Sequence, residues 1–360
     1  MVDGKVVDLP KTRQCRAPKW IGWLKPRAII RSIWTVVVAL KEKPDIVMAY
    51  SVFPPGLWGL AAARLVGAAA ILQLPGGPLE IESGGWVNDD IVVPQFLIRL
   101  LVPLCHTLCR HFDTIIVRGR KAETFLRTIS SGRVEIIPGS VDSERYLLND
   151  RPRTIDIVFI GRIVAIKQPG HVCEVIRRVA AARPSLRVVV AGSGPLLDEM
   201  KQQAAQMGLD SVIEFAGHVE KVEDLLTQSR VFLLTSKSEG LSIALAEAMM
   251  AGAVPVVANV GDLSELVIDG QTGWLVEPGD FEAYATRICG LLNDESARLK
   301  MAENGRRSVL QNNSVDAIAS RWKKCLDATV DANNFKLTGS SKVTLGEDLK
   351  ERTQHVKLPL

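Results

Sequence analysis

The sequence predicts an α/β protein of two Rossmann-like domains, each a doubly wound parallel sheet, facing a cleft. Three observations support this. Buried-strand patterns alternate with amphipathic helical patterns over 45–141 and again over 154–258. The 360 residues exceed what one hydrophobic core usually serves. A polar, proline-containing segment, 147–153, separates the two alternations. Ligands are expected at the carboxyl ends of the strands.

The first domain is predicted at residues 1–146. Its strand patterns cover 45–50, 68–74, 113–119 and 134–141, and its helical patterns cover 26–40, 54–66, 96–111 and 121–129. The second domain is predicted at 147–330, with strands at 154–161, 187–192, 212–217, 231–234 and 254–258. Residues 331–360 are polar and aperiodic, which predicts a mobile tail.

Composition narrows the protein class. A hydrophobic share of 47% with 23% charged residues is ordinary for a globular protein. No uncharged apolar stretch reaches the roughly 18 residues of a membrane span, and the N-terminus lacks a signal-peptide pattern. The six cysteines form neither a CxxC pair nor a disulfide framework, which favours reduced thiols in the cytoplasm. Cys105 and Cys109 lack a second ligand pair, so we expect buried thiols rather than a metal site. We expect no nucleic-acid partner.

A basic, aromatic segment near the N-terminus leaves two interpretations open. Residues 1–150 carry 19 Lys and Arg against 14 Asp and Glu. Part of this excess lies at 19–43, where Trp20, Trp23 and Trp34 alternate with basic residues. Such a segment can dock peripherally on an anionic membrane, or it can be an ordinary surface helix.

Residues 231–258 read as strand, polar turn, helix, glycine turn and strand. This unit places a helix N-terminus at the carboxyl edge of a parallel sheet, where an anionic ligand is favoured. Glu239 and Glu247 frame the turn, and eight helical residues span about 12 Å. That span suits an elongated ligand with hydroxyls at both ends. The alternative is that Glu239 only complements the helix dipole and Glu247 is solvated.

A basic pair follows the first strand of the second domain, in GRIVAIKQPG. The guanidinium fork of Arg162 and the mobile charge of Lys167 suit a diphosphate, and would stabilise a departing diphosphate electrostatically. A solvated sheet edge is the alternative. Gly192 and Gly194 form a glycine turn, but Leu197 stands where a dinucleotide fingerprint needs its third glycine, which argues against a nicotinamide dehydrogenase.

These motifs resemble the donor site of retaining glycosyltransferases of family 4, the group 1 transferases of the GT-B fold. The resemblance rests on SEGLSIALAEAMMAGAVPVVA, on GDLSELVIDGQTGWLVEPGD at 261–280, and on the Gly-Arg-x4-Lys phrase that begins at Gly161. It implies that Arg162 and Lys167 hold the donor diphosphate, that Glu239 faces the hexose, and that Glu247 accepts hydrogen bonds from the ribose. It also implies donor contacts from other residues: Gly161, Gly192, His218, Val219, Gly240, Leu241 and Ser242.

The first half resembles the acceptor half of the same family through PDIVMAY, TIIVRGRKAETFL and VEIIPGSVDSERY. It departs from the family in two ways. The usual first βα unit is missing, so we expect a truncated N-terminal domain. Pro75, Gly76 and Gly77 follow the strand ILQL where many members carry a histidine. These departures keep open a second hypothesis, an inert remnant of the fold that acts as a nucleotide-binding or scaffold protein.

The resemblance implies transfer of a hexose, with retention, from a UDP- or GDP-sugar to a glycan, lipid-linked or small-molecule acceptor, in polysaccharide or glycolipid synthesis. The departing phosphate would accept the acceptor's proton. We expect no cofactor and no metal, because Arg162, Lys167 and the helix dipole would replace the cation and no DxD phrase is present. The expected location is cytoplasmic, with peripheral contact at the inner face of the membrane as an option.

Overall fold

The computed structural model describes residues 27–82, 95–146 and 152–338. The chain forms two compact units: Met1–Ile137 with Ala319–Leu360, and Pro138–Ile318. These limits differ from the predicted boundaries after 146 and 330. Residues from 138 onward join the second unit because Val141 N donates to Asn313 O (2.8 Å) and Tyr146 is buried in the second unit's core. Each unit is described separately below.

The first unit contains a four-stranded parallel sheet. Its strands lie in the order β1, β2, β3, β4. Each successive strand is therefore added on the same side of the previous one, and among the described strands the direction of winding does not reverse. The strands are β1 (Ile46–Tyr50), β2 (Ala69–Leu74), β3 (Thr114–Val117) and β4 (Arg133–Ile136). The helices are α1 (Arg27–Glu42), α2 (Leu57–Val66), α3 (Pro78–Glu82), α4 (Gln95–His111) and α5 (Arg120–Ile129).

Strands β2 and β3 occupy the middle of this sheet, and nearly all of their residues are buried. Continuous apolar runs of this kind form when helices cover a parallel sheet. Helix α4 contributes Cys105 and Cys109 to the same core, as predicted, and burial raises their pKa values to about 11 and about 12. These thiols are therefore protonated at neutral pH.

The second unit contains a six-stranded parallel sheet in the order β10, β9, β8, β5, β6, β7. Its strands are β5 (Ile155–Ile160), β6 (Val188–Ala191), β7 (Ile213–Gly217), β8 (Ser229–Leu234), β9 (Val254–Ala258) and β10 (Trp274–Val276). Its helices are α6 (Pro169–Ala182), α7 (Leu197–Gln206), α8 (Val222–Leu226), α9 (Ile243–Met250), α10 (Phe281–Asn293) and α11 (Glu295–Asn313).

The winding of the second sheet reverses between β5 and β8. From β5 the chain adds β6 and then β7 on one side, and from β8 it adds β9 and then β10 on the other. The loops that follow β5 and β8 therefore diverge from a switch point, which is where open α/β sheets bind ligands. The predicted α/β fold with two parallel sheets is confirmed.

The last helix, α12 (Val315–Thr338), continues into the region predicted as a mobile tail. Its later residues are bonded to the first unit: Thr329 Oγ1 lies 2.8 Å from Thr114 Oγ1, and Asn333 Nδ2 donates to Gly67 O at 3.0 Å. The tail prediction is therefore wrong for 331–338, where these contacts order a helix of modest apolar character. Residues 339–360 lie outside the described part of the chain.

No helix in the described ranges is both long enough and apolar enough to cross a membrane. The segment predicted as a membrane-docking candidate, 19–43, is described only from Arg27 onward, where it forms α1, so Trp20 and Trp23 lie outside the described residues. The polar linker at 147–151 lies outside them as well.

Asp113 joins α12 to the sheet of the first unit. Its carboxylate accepts hydrogen bonds from Ala70 N (2.9 Å), Lys336 Nζ (2.8 Å) and Arg64 NH1 (3.1 Å). Burial opposes ionisation, but these bonds outweigh it and lower the pKa of Asp113 below its ordinary value. The ionised carboxylate is the form that the folded unit stabilises.

We expect Asp113→Asn to lower the free energy of unfolding by ~1–3 kcal/mol at neutral pH, because an asparagine offers one acceptor oxygen to the three donors and no charge to the two cations. An acid with a lowered folded pKa stabilises the fold above its unfolded pKa, here near 3.8, and that stability is lost as pH falls through the folded pKa. Urea unfolding at a series of pH values should therefore show that the difference in the free energy of unfolding between wild type and Asp113→Asn becomes smaller at acid pH. Asp331→Asn, at an exposed position of α12, is the control. A difference between wild type and Asp113→Asn that does not change with pH would contradict a stabilising role for the ionised Asp113 carboxylate.

Candidate functional site

The loops that follow β5 and β8 are joined at the switch point of the second sheet. Lys237 N donates to Ile166 O at 2.8 Å. The buried Thr235 hydroxyl lies 3.3 Å from both Lys167 O and Gln168 O. These bonds hold the backbone of residues 166–168 against residues 235–237, which fixes the spacing between the two loops.

A lysine and a glutamate form an ion pair between the two loops. Lys167 Nζ lies 2.5 Å from Glu239 Oε1, and the side chains are 19% and 9% exposed. The buried Ser236 hydroxyl donates to the same oxygen, also at 2.5 Å. Both bonds fall on Oε1, so Oε2 takes part in neither. The lysine side chain also passes close to the end of β5, since a Cβ built on Gly161 would lie 3.8 Å from Lys167 Cε.

Gly261 supports the glutamate from the loop that follows β9. Its φ is +56°, in the left-handed region, and a Cβ at this position would lie 1.6 Å from the carbonyl oxygen of Glu239. Only glycine allows this close approach. The backbone around Glu239 is therefore held between the loop after β5 and the loop after β9.

The loops after β6 and β7 continue the same edge of the sheet. Gly161 N donates to Ala191 O at 3.1 Å, and Gly192 N donates to Gly217 O at 2.7 Å. A Cβ on Gly192, where φ is +149°, would lie 1.8 Å from Gly161 O, so this glycine permits the contact with the loop after β5. The candidate residues Gly161 and Gly192 are thus neighbours.

Helix α9 begins directly after the ion-paired loop. Ser242 is its N-cap, and the Ser242 hydroxyl accepts a hydrogen bond from Leu245 N at 3.3 Å. Gly240 and Leu241 lie between Glu239 and this cap. The amide groups of the helix start and the positive end of the helix dipole therefore lie next to Glu239 in the chain, an arrangement suited to an anion.

Glu247 lies on α9 in a different cluster from Glu239. Its neighbours are Tyr146, whose side chain interacts with the Glu247 carboxylate, and Arg145, which pairs with Glu223 at 2.8 Å. Burial raises the pKa of Glu247, although the neighbouring Tyr146 and the charge of Arg145 oppose that shift. The carboxylate is therefore held in a partly desolvated position, which contradicts the alternative of a solvated glutamate.

The structure thus brings some predicted residues together and separates others. Lys167 and Glu239 are in contact, and the loop glycines and the start of α9 surround them. Arg162 lies two residues after the end of β5, with an exposed side chain. His218, which is exposed, and Val219 follow β7, two strands away from β5 in the sheet order.

Three residues of this region were not among the predicted site residues: Tyr146, Ser236 and Gly261. Ser236 and Gly261 lie inside or beside the motifs used for the prediction, so their residue types, serine and glycine in predicted turns, could have marked them as candidates. Tyr146 had none, because its contact with Glu247 joins distant parts of the chain.

Within the described ranges, no group of three or more His, Cys, Asp or Glu side chains is placed to hold a metal ion. The charged groups that the structure places at the switch point include Lys167, Glu239 and, at the end of β5, Arg162. A diphosphate could be bound by such cations and by helix amides.

Comparison with known proteins gives an independent result for the second unit. Residues 144–308 match the family model of glycosyl transferases group 1. N-acetyl-alpha-D-glucosaminyl L-malate synthase of Bacillus anthracis is 26% identical over 316 residues, which cover 83% of this chain and 79% of that protein. The UDP-Gal:alpha-D-GlcNAc-diphosphoundecaprenol alpha-1,3-galactosyltransferase of Escherichia coli is 23% identical over 306 residues, 81% of this chain and 76% of that enzyme.

A solved structure supports the fold. HepE of Anabaena, crystallised in complex with UDP, superposes with a TM-score of 0.70 at 19% identity, over 86% of this chain and 84% of that chain. The chain spans less than half the length of some other curated relatives, 46% and 47% in two cases. The family match and the named relatives support a glycosyltransferase enzyme, and they give no support to an inert scaffold.

We expect Gly261→Ala to destabilise the second unit more than Gly279→Ala does. Both positions have positive φ, so each alanine costs ~1–2 kcal/mol of backbone strain. At Gly279 a Cβ would have no heavy atom within 4 Å, whereas at Gly261 it would collide with Glu239 O. Thermal and urea unfolding of the two variants measure the difference; equal losses would show that the Glu239 loop does not depend on this approach.

Proposed function

We propose that this chain is a retaining glycosyltransferase of family 4 that transfers a hexose from a UDP- or GDP-sugar, with its donor site at the switch point of the second sheet. The observation that carries the proposal is the ion pair between Lys167 and Glu239. It places a cation beside a carboxylate at the carboxyl edge of a doubly wound sheet, next to a helix N-terminus. The cation would bind the diphosphate of a nucleoside diphosphate sugar, and the carboxylate would accept hydrogen bonds from the hydroxyls of its sugar.

Lys167 is suited to hold the diphosphate. Its ammonium has three N–H donors, and the bond to Glu239 uses one of them. Glu239 therefore orients the ammonium while donors are left for phosphate oxygens. Arg162, at the end of β5, would add a second cation. Together they would stabilise the negative charge that develops on the diphosphate as the bond to the sugar breaks.

Glu239 is suited to contact the hexose. Its Oε1 accepts from Lys167 and Ser236, which leaves Oε2 as the oxygen that would accept from a sugar hydroxyl. The amides of Gly240, Leu241 and Ser242 would face the sugar and the phosphate at the start of α9. Because the glutamate is engaged by a cation, it is an orienting group in this scheme. The departing phosphate would accept the acceptor's proton, with retention of configuration.

Glu247 would bind the ribose. Its carboxylate is partly buried beside Tyr146, and its two oxygens would accept hydrogen bonds from two neighbouring hydroxyls. Gly192, His218 and Val219 would line the side of the pocket nearer to the base. This arrangement requires no metal, because Lys167, Arg162 and the helix dipole neutralise the diphosphate.

The acceptor would be a glycan, a lipid-linked glycan or a small molecule, in polysaccharide or glycolipid synthesis. The names of the two relatives span a small acid and a lipid-linked sugar as acceptors. A cytoplasmic location with peripheral membrane contact belongs to the proposal. What supports membrane contact is α1, where Val37 and Leu40 are 45% and 51% exposed beside the basic Lys41.

Lys167→Ala tests the donor site. Loss of a charge-assisted hydrogen bond costs ~1.5–3 kcal/mol, so we expect UDP or GDP to bind about 10- to 100-fold more weakly and sugar transfer to fall at least as far. Calorimetry gives the affinity, and release of nucleotide from a panel of sugar donors gives the turnover. Lys300→Ala, at an exposed position of α11, removes the same charge elsewhere and should change neither. A folded Lys167→Ala variant with unaltered affinity would remove the lysine from the site.

A further inference from the structure

The amino edge of the second sheet, opposite to the candidate donor site, carries four arginines that the proposed function does not use. Strands β5 and β8 are parallel neighbours, and both begin at this edge. Arg153 precedes β5, Arg230 is the second residue of β8, and α11 contributes Arg298 and Arg306. We refer to these four residues as the arginine cluster.

Two members of the arginine cluster bind the carboxyl end of α9. Arg153 NH2 donates a hydrogen bond to Ala251 O at 2.7 Å, and Arg306 NH1 donates to Met250 O. The last carbonyl groups of a helix have no partner within the helix, and the negative end of the helix dipole favours a cation. The structural role of Arg153 and Arg306 is therefore explained by α9 alone.

Arg298 differs from these two, because one of its nitrogens has no acceptor. The residue is only 3% exposed, and its NH2 donates to Glu295 Oε1 at 2.8 Å on the same helix. Its NH1 is buried, and within the described ranges it has no hydrogen-bond partner. A guanidinium nitrogen that has lost water without gaining an acceptor is costly to the fold. An acceptor that reached this nitrogen would therefore be bound by a donor that is already held in place.

The charges of the arginine cluster are not balanced. Burial lowers the pKa of Arg153, and the positive charges of the other three arginines lower it further. Burial and the charge of Arg230 likewise lower the pKa of Arg298, against an opposing effect of the neighbouring carboxylates. The guanidiniums outnumber the carboxylates that act on them, which are Asp156, Glu295 and Glu303. A bound anion would reduce this mutual repulsion.

The arginine cluster reaches solvent at Arg230 and Glu295. The Arg230 side chain is 33% exposed, and its NH1 lies 2.5 Å from Asp156 Oδ1. The Glu295 side chain is 77% exposed, and its bond to Arg298 joins residues three positions apart on α11, a type of pair that contributes little stability. A solute with several oxygens can therefore take the place of the Glu295 carboxylate and bridge Arg298 and Arg230.

We propose that Arg298 and Arg230 form a binding site for a phosphate group at the amino edge of the second sheet, and that the phosphate displaces Glu295. Each guanidinium presents a planar fork of N–H donors that matches phosphate oxygens, and two forks from different elements suit a tetrahedral anion. The ligand is inorganic phosphate or a phosphate monoester, which share this chemistry. The site does not depend on the proposed function, because Lys167 lies at the opposite edge of the sheet.

Titration of the full chain with inorganic phosphate, followed by phosphorus NMR in a phosphate-free buffer, tests the site. We expect saturable binding, and Arg298→Met should raise the Kd about tenfold or more, because charge-assisted hydrogen bonds are lost. Glu295→Gln should lower the Kd, since a neutral side chain competes less well for the guanidinium. Arg307→Met, at an exposed position of α11, and Glu282→Gln, which removes another exposed carboxylate near an arginine, are the matched controls and should change neither.

Three outcomes would overturn the phosphate site: no saturable binding by wild type, an unchanged Kd in Glu295→Gln, or loss of phosphate binding in Lys167→Ala or with saturating UDP. The last result would place the phosphate at the candidate donor site. Because Glu295→Gln alters only an exposed side chain, it decides the question even if Arg298→Met does not fold.

Methyl phosphate in place of inorganic phosphate separates the two sources of the ligand. Tighter binding of the ester assigns an organic phosphate, and weaker binding assigns the free ion. Either result supports the site, provided that Arg298→Met or Glu295→Gln changes the Kd of the tighter ligand in the direction given above.

Discussion

The contact between Lys167 and Glu239 is the interaction on which the account of this protein depends. The two residues come from loops that leave the sheet on either side of the switch point, and their charges are both largely withdrawn from water. Removing either partner would leave an unpaired charge in a partly desolvated place, which is costly. A pair of this kind persists when additional bonds support it, as those from Ser236 and the backbone of Lys237 do here.

Close backbone approaches make that contact possible. Gly192 and Gly261 each occupy a place where a Cβ would overlap a carbonyl oxygen of a neighbouring loop. The loops after β5, β6, β8 and β9 can therefore pack at the same edge, and their hydrogen bonds run directly from backbone to backbone. Rigid loops matter for a site that must stabilise charge, because preorganised dipoles need not reorganise during the reaction.

Local sequence patterns predicted most of the fold. The continuous apolar runs of β2, β3 and β8 identify buried parallel strands, and the turn at 235–242 identifies the start of α9. Lys167 and Glu239 could be proposed as partners because each follows a strand in a recognisable motif. Contacts between distant residues could not be predicted. Tyr146 was assigned to the first domain, yet it packs in the second, and α12 extends through a stretch too polar to indicate order because Asp113 and Thr114 bind its side chains.

The most direct measurement is hydrogen–deuterium exchange of the whole chain with and without saturating UDP. The account predicts slower exchange of the amides at 161–168 and 235–243, with a smaller effect in α9 around Glu247. Protection confined to other parts of the chain, or exchange unaffected by UDP and by GDP in these two loops, would contradict a donor site built on Lys167 and Glu239.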